Sequence, residues 1–202
     1  AALLALDPDK GTVLNEWTFK DPLRSVRSVD LTAGSAILAG SKRGLHAIIG
    51  GNTLEFPLPD DRQPKGGINS VAANADKLYA THSEYGVARW DATQPGTPAE
   101  ILFEDLTKKY KTTRAAQVAA GYLLFATGPT VYAVALGNGM HPIAYSSPID
   151  GPVTSVVCGA GTIFAGTESG AIVSWRLGEP DKPDVVTRKR DAIVNLRVAK
   201  VC

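Results

Sequence analysis

Short apolar runs separated by small turn residues recur along the chain, most clearly between Val153 and Trp175. That stretch holds three runs, Val153–Cys158, Thr162–Ala165 and Ala171–Trp175, with Gly-Ala-Gly before the second and Thr-Glu-Ser-Gly before the third. Short runs rich in β-branched residues and joined by such turns are typical of successive antiparallel strands. The pattern therefore predicts a chain built from β-hairpins.

The same order of runs and turns repeats along the rest of the chain. Each copy has a first strand with Ser or Ala before Val, a second strand ending in Ala-Gly or Ala-Thr, a third apolar strand and a less regular fourth strand. The copies lie 42, 47, 38 and 40 residues apart when one apolar position of the first strand is aligned, namely Val29, Val71, Val118, Val156 and Leu196. We expect these five positions to be equivalent and buried.

The fourth strands are predicted from shorter apolar runs, at Thr53–Phe56, Glu100–Phe103, Ile143–Tyr145 and Val185–Thr187. Residues 104–111 follow the second of these runs and show some apolar spacing of helical type. We expect them to form a loop with at most one helical turn.

Four antiparallel strands every 38–47 residues are typical of a β-propeller blade. One such sheet has two apolar faces, and stacking sheets side by side covers both. The expected fold is all-β, a single β-propeller domain over 1–202. Its expected blades are 22–58, 66–104, 113–147, 152–188 and a composite of 190–202 with 1–19. This count gives five blades, and the alternative of a segment from a six- or seven-bladed ring stays open.

Two stretches resemble known propeller families. The third strands GVARWD (86–91) and GAIVSW (170–175) resemble the third strand of WD40 repeats, and ALDPDKGTVLNEW (5–17) is similar to the outer hairpin of quinoprotein-type repeats. The resemblance extends over nearly the whole chain and implies propeller architecture. No copy has the Gly-His dipeptide of typical WD40 repeats, and only Trp90-Asp91 matches their Trp-Asp dipeptide, so the hydrogen-bond network of that family is not carried over.

Composition and motifs point away from catalysis. The chain has 44% hydrophobic and 20% charged residues and a formal net charge of +1, which is an ordinary globular balance. It contains no phosphate-binding glycine loop, nucleophile elbow or zinc-protease motif. The two cysteines and three histidines show no ligand spacing, and Cys158 is expected to be a core residue. We therefore predict no catalytic residues, no cofactor, no metal and no membrane span.

Charge becomes informative only when the loops are sorted by face. In WD40-like propellers, the loops before the first strand and after the second strand share the face that usually engages partners. Here that face is expected to be net basic. An exposed Tyr with polar neighbours is a common interface anchor, so the loop at 82–85 joins the candidates. The candidate binding residues are Lys108, Lys109, Lys111, Arg114, Arg188, Lys189, Arg190, Arg24, His82 and Tyr85.

The function predicted from these features is a non-catalytic scaffold whose loops bind a protein partner. Because the binding face is expected to be basic, an acidic partner is favoured. One alternative is an anion-binding propeller for nucleic acid or phosphoinositide. Nucleic acid is disfavoured because Tyr110 is the only aromatic residue within the basic run 108–111. The other alternative is a propeller enzyme or lectin with a ligand near the central channel.

Overall fold

Alternating apolar side chains and tight turns fold this chain into consecutive antiparallel hairpins. The structure, a computed structural model, describes residues 1–59, 66–107, 113–137 and 140–197. Within these ranges the chain forms five antiparallel sheets, which we call A to E in chain order. Sheet A has two strands and sheets B to E have four each, so the fold is all-β and its sheet arrangement is propeller-like.

Sheets A and B are built from β1 (Ala2–Leu6) and β2 (Val13–Thr18), followed by β3 (Ser25–Leu31), β4 (Gly34–Gly40), β5 (Gly44–Ile49) and β6 (Asn52–Pro57). Sheet C comprises β7 (Ile68–Asn74), β8 (Lys77–His82), β9 (Gly86–Asp91) and β10 (Glu100–Leu102), and one helical turn follows it as α1 (Glu104–Thr107). Sheet D comprises β11 (Thr113–Ala119), β12 (Tyr122–Thr127), β13 (Thr130–Ala135) and β14 (Pro142–Ser146). Sheet E comprises β15 (Val153–Gly159), β16 (Thr162–Thr167), β17 (Ala171–Arg176) and β18 (Asp184–Arg188).

Each four-stranded sheet is a meander whose strands follow chain order from one edge to the other. The four predicted fourth strands are confirmed in β6, β10, β14 and β18, except that β10 ends at Leu102. Phe103 lies just beyond it with a φ of 60°, a left-handed conformation that stops the strand. The expectation of at most one helical turn after this strand agrees with α1, a single turn, and residues 108–111 lie outside the described residues.

The apolar core lies between sheets rather than within one. Sheets B and C bury one cluster, which includes Leu38, Phe56, Leu78 and Trp90. Sheets C and D share another, which includes Tyr79 and Phe125. Sheets D and E bury a third, which includes Leu124, Tyr145, Ile163 and Trp175. Sheets C and D are therefore covered on both faces, as stacked blades require.

The first strands β3, β7, β11 and β15 contact one another in chain order and form the inner edge of the stack. Sheet A lies against the other side of sheet B. Trp17 Nε1 donates a hydrogen bond to the Gly51 carbonyl at 3.4 Å, and the rings of Phe19 and His46 lie 4.9 Å apart. The order in space is therefore A, B, C, D and E.

The expectation of five equally buried first-strand positions is wrong for three of them. Val71 and Val156 are 2% and 8% exposed, but Val29, Val118 and Leu196 are only half-buried. The pairings Val26↔Ala39, Val71↔Ala80, Ala116↔Phe125 and Val156↔Ala165 show the true equivalence. Val26, not Val29, is the counterpart of Val156 because the hairpin of sheet B is longer. Ala116, not Val118, is the counterpart in sheet D, where its pairing with Phe125 matches that of Val156 with Ala165.

Val26 is nevertheless 50% exposed. Val71 and Val156 pack against the sheet that precedes them, whereas sheet A, which precedes sheet B, has only β1 and β2 among the described residues and no first strand beside Val26. The predicted first strand at 192–201 has no ladder pairing in its described part, 192–197, and residues 198–202 lie outside the described residues. The composite fifth blade thus stays a prediction.

The equivalence of Val26 and Val156 allows a matched test of stacking. We expect Val156→Asp to lower the free energy of unfolding by about 3–5 kcal/mol, because a carboxylate there has no partner between sheets D and E. Val26→Asp makes the same change at the equivalent but exposed position and should cost about 1 kcal/mol or less. Urea unfolding of both variants measures the difference, and equal losses would show that the register is wrong.

Candidate functional site

The first strands of sheets B to E surround a cavity of about 850 Å³. Residues 194–197, which follow sheet E, line the same cavity. Five chain segments thus contribute its walls, although only four of them are regular strands. Its size is in the range of ligand-binding clefts, and it lies at the inner edge of the stack.

Two tiers of side chains are set by the register of the first strands. Two residues before the equivalent positions Val26, Val71, Ala116 and Val156 stand Arg24, Asn69, Arg114 and Thr154. One residue after them stand Arg27, Ala72, Gln117 and Val157. The two tiers are three residues apart, or about 10 Å along a strand. Sheet B has an arginine in both tiers, and sheet D has one in a single tier.

Side chains of both tiers reach across to the neighbouring first strand. Asn69 Nδ2 donates to the Thr113 carbonyl at 2.8 Å, and the Cys158 N–H donates to Gln117 Oε1 at 2.7 Å. Arg24 lies over Gly67, where an added Cβ would come within 2.9 Å of its Cδ. These bonds hold neighbouring strands together at the cavity wall.

The Arg27 side chain bonds to two other first strands. Its guanidinium donates to the carbonyls of Val71 and Ala116, each at 3.1 Å, and so connects three first strands. Although the residue as a whole is exposed to the open cavity, desolvation of the guanidinium lowers the pKa of Arg27 from its ordinary value. Its partners are neutral carbonyls, so the positive charge is not compensated by an ion pair within the described chain.

The electrostatics of the cavity are one-sided. Arg24, Arg27, Arg114 and Arg197 line it, and none of the described Asp or Glu residues does. Glu168 approaches Arg114 at 4.0 Å from outside the lining, but both side chains are largely exposed and the attraction is weak. A cleft lined by charges of one sign raises the local concentration of the opposite charge. The arrangement can therefore attract anions.

The eight basic residues among the predicted binding residues fall into three groups. Arg24 and Arg114 line the cavity. Arg188, Lys189 and Arg190 are exposed at the end of β18 and just after it, outside the cavity lining. Lys108, Lys109 and Lys111 lie outside the described residues.

His82 and Tyr85 require a correction. Their exposed fractions are 0% and 4%, so the expected exposed anchor at 82–85 is wrong. The two ring centroids lie 4.6 Å apart in a stacked arrangement, and Tyr85 belongs to the apolar cluster that sheets B and C bury. His82 Nδ1 accepts a hydrogen bond from the Glu84 N–H at 3.1 Å, and Ser83 Oγ donates to the Gly67 carbonyl at 3.2 Å. The Ser83 hydroxyl is thus engaged by the main chain and not activated by His82.

Sequence analysis missed Arg27 and Arg197. The signal was present in the repeat Arg-Ser-Val-Arg-Ser-Val at 24–29, where either Ser-Val pair fits the first-strand pattern. When Val29 is taken as the aligned position, Arg27 lies two residues before it. The sequence then does not indicate that Arg27 lines the cavity. Correct alignment on Val26 places Arg27 at the level of Arg197.

Other chemistry has little basis in the described ranges. No three His, Cys, Asp or Glu side chains there gather closely enough to hold a metal ion. Cys158 is buried, as expected, and this burial raises the pKa of its thiol. The one helix of the described chain, α1, is far too short to cross a membrane.

Burial of His82 generates a prediction about pH. Desolvation lowers the pKa of His82 from 6.5 to about 4 in the folded state. The unfolded chain therefore binds the proton more tightly, and the stabilisation present above pH 6.5 is lost as the pH falls toward 4. We expect His82→Gln to flatten this dependence, whose steepest slope for one group is about 1.4 kcal/mol per pH unit. Unfolding free energies across this range measure it, and parallel curves for both proteins would contradict the assignment.

Comparison with known proteins gives information on the fold alone. No family model and no curated protein matches the chain. Among solved structures, it is similar to a chain in a crystal structure of a nidogen/laminin complex, with 10% identity, a TM-score of 0.70, and coverage of 98% of this chain and 78% of that one. It is also similar to the computationally designed proteins Ika8 (13% identity, TM-score 0.68, 94% and 57% coverage) and Ika4 (12%, 0.56, 80% and 94%). The chain spans 57% of the length of Ika8, and these likenesses support a repeated all-β fold.

Proposed function

We propose that residues 1–202 are a non-catalytic β-propeller scaffold whose arginine-lined cavity binds an acidic segment of a protein partner. The observation that carries the proposal is the set of four arginines around the cavity, with no carboxylate among the described residues that line it. Carboxylates pair with arginine through two parallel hydrogen bonds, which gives geometric specificity as well as attraction. A propeller-like fold fits a scaffold for protein interaction.

The proposed architecture has five blades. Sheets B to E supply four, and sheet A with residues 190–202 supplies the composite fifth. This count is supported by the cavity, because residues 194–197 contribute a fifth wall beside the first strands of sheets B to E. The proposed domain is the whole of 1–202, with the blade bounds predicted from the sequence.

The partner is proposed to be a polypeptide rather than a nucleic acid for two reasons. No aromatic side chain among the described residues lines the cavity, so this lining offers no platform for the stacking of unpaired bases. Among the polar lining residues, Asn69 and Gln117 are already engaged with the main chain, and the arginines are the charged groups of the described lining. Arginine side chains are sufficient for the recognition of carboxylates.

The basic residues outside the cavity extend the proposed surface. Lys42 and Arg43 are exposed after β4, and Arg188, Lys189 and Arg190 are exposed at the end of β18 and just after it. Arg43 is partly occupied by Asp21 at 3.3 Å. The predicted residues Lys108, Lys109 and Lys111 belong to this proposal as well. We expect a flexible acidic segment that enters the cavity to pass over these basic residues.

Binding of a fluorescent decaglutamate peptide to the 202-residue chain tests the proposal by anisotropy. We expect saturable binding that Arg24→Glu/Arg114→Glu weakens by about tenfold or more, because two attractive charges become repulsive. The melting temperature should change little, since exposed charges contribute little to stability. A single-stranded DNA of equal charge is the competing ligand, and its affinity should fall more steeply with salt.

The matched control is Arg188→Glu/Arg190→Glu, which changes the net charge equally but lies outside the cavity lining. We expect it to weaken binding by less than the cavity pair does. If the two double variants weaken binding equally, general surface charge and not the cavity explains the attraction. Tighter binding of the DNA than of the peptide would favour the anion-binding alternative and contradict the acidic-protein proposal.

A further inference from the structure

Side chains cross the inner cavity at one end of its lining. The first strands line the cavity near their starts, and β3 and β7 run on to Leu31 and Asn74 outside the lining. Where the lining of β3 stops, Arg27 reaches to carbonyls of β7 and β11, and Gln117 reaches from β11 to the main chain of β15. These bonds connect all four first strands. A ligand that enters from the starts of the strands therefore meets this crossing.

Arg27 has unused hydrogen-bond donors at this crossing. Its bonds to the carbonyls of Val71 and Ala116, at 3.1 Å each, are both made by Nη1. Nε and Nη2 donate to no described residue. These two nitrogens carry the parallel N–H groups to which a carboxylate binds with both of its oxygens. The main chain thus already holds the guanidinium in place, which lowers the entropic cost of binding a carboxylate there.

The charge of the lining selects which end of a polypeptide can reach Arg27. Four arginines line the cavity, and none of the described Asp or Glu residues does. Such a cavity repels an N-terminal ammonium group and attracts a C-terminal carboxylate. A terminal carboxylate also has both oxygens available for the parallel bonds that Nε and Nη2 can donate. The carboxyl end is therefore the chain end that fits.

The depth of Arg27 favours a chain end over an acidic side chain. Arg27 follows Arg24 by three residues, which is about 10 Å along a strand. A glutamate side chain extends only about 5 Å from its own Cα. A segment that lay across the starts of the strands would thus not bring a side-chain carboxylate to Arg27. A segment that looped through would have to enter and leave a cavity of about 850 Å³, whereas a chain end passes once.

We propose that the acidic segment of the partner enters the cavity carboxyl end first, and that Arg27 binds its terminal carboxylate through Nε and Nη2. This inference rests on the proposed function and names the part of the partner that the cavity receives. Arg24 and Arg114, which lie nearer the starts of the strands, bind acidic side chains about three residues before the end of an extended peptide. Arg27 thus selects the chain end, and the outer arginines supply general attraction.

The test compares two acidic peptides of equal charge, each with a fluorescent label at its N-terminus. One is decaglutamate with a free C-terminal carboxylate, and the other has one more glutamate and a C-terminal amide. The two peptides contain the same number of carboxylates and differ in whether one of them lies at the chain end. We expect anisotropy to show that the 202-residue chain binds the free-ended peptide about tenfold more tightly, because the amide loses charge-assisted bonds to Arg27.

Arg27→Lys and Arg114→Lys are matched variants, because each keeps a positive charge in the lining. Lysine has no parallel pair of N–H groups and holds a carboxylate only as a point charge. We expect Arg27→Lys to reduce the preference for the free-ended peptide to about twofold or less. Arg114→Lys should weaken the binding of both peptides by a similar factor and leave the preference unchanged. The ratio of the two affinities is the readout, so a loss of folded protein does not alter it.

Equal affinity of the unmodified chain for the two peptides would overturn this inference, and the proposed function would still stand if Arg24→Glu/Arg114→Glu weakens both. A full preference in folded Arg27→Lys would overturn the role of Arg27. If Arg27→Lys does not fold, carbon-13 in the terminal carboxyl of decaglutamate gives the second measurement. Contact with a guanidinium should lower the pKa of that carboxyl in the complex, and an unshifted titration would overturn the inference. Failure of both peptides to bind would overturn the proposed function itself.

Discussion

Burial of sheet faces between neighbouring sheets is the interaction on which this structure depends. A four-stranded sheet with apolar residues on both faces cannot cover either face by itself, so each sheet requires a neighbour on each side. Sheet D meets this requirement fully, with Phe125 packed toward sheet C and Leu124 toward sheet E. Sheet A, at the end of the stack, leaves Leu4, Leu6 and Leu14 exposed. We therefore expect the local stability of each sheet to depend on how fully neighbouring sheets bury its faces, rather than on the sequence of its strands.

The same stacking forms the candidate site. First strands brought side by side have side chains long enough to bond the next strand, as Arg27, Asn69 and Gln117 do. The cavity is thus a consequence of how the sheets are held together, and its charge follows from which residues occupy two register levels. Arginine at those levels attracts anions, and the proposed function rests on that charge.

Much of the fold could be predicted from the sequence, since runs such as Val153–Cys158 have the right length and each hairpin has local turn signals. The register of sheet B could not, because two Ser-Val pairs fit the pattern and only the longer hairpin decides between them. The site was predicted in part. Arg24 and Arg114 were found from their loop positions, but the burial of Tyr85 depends on packing between sheets B and C, and sequence spacing carries no such information.

Amide hydrogen exchange tests the central claim most directly, because it reports the local free energy of opening for each strand. If cover by neighbouring sheets determines stability, the amides of β12 and β13, between sheets C and E, should exchange at least about a hundredfold more slowly than those of β1 and β2. This difference is expected even though β1 and β2 form a regular antiparallel ladder of their own. Equal protection of sheets A and D would contradict the account, because it would show that stability resides within each sheet and not between sheets.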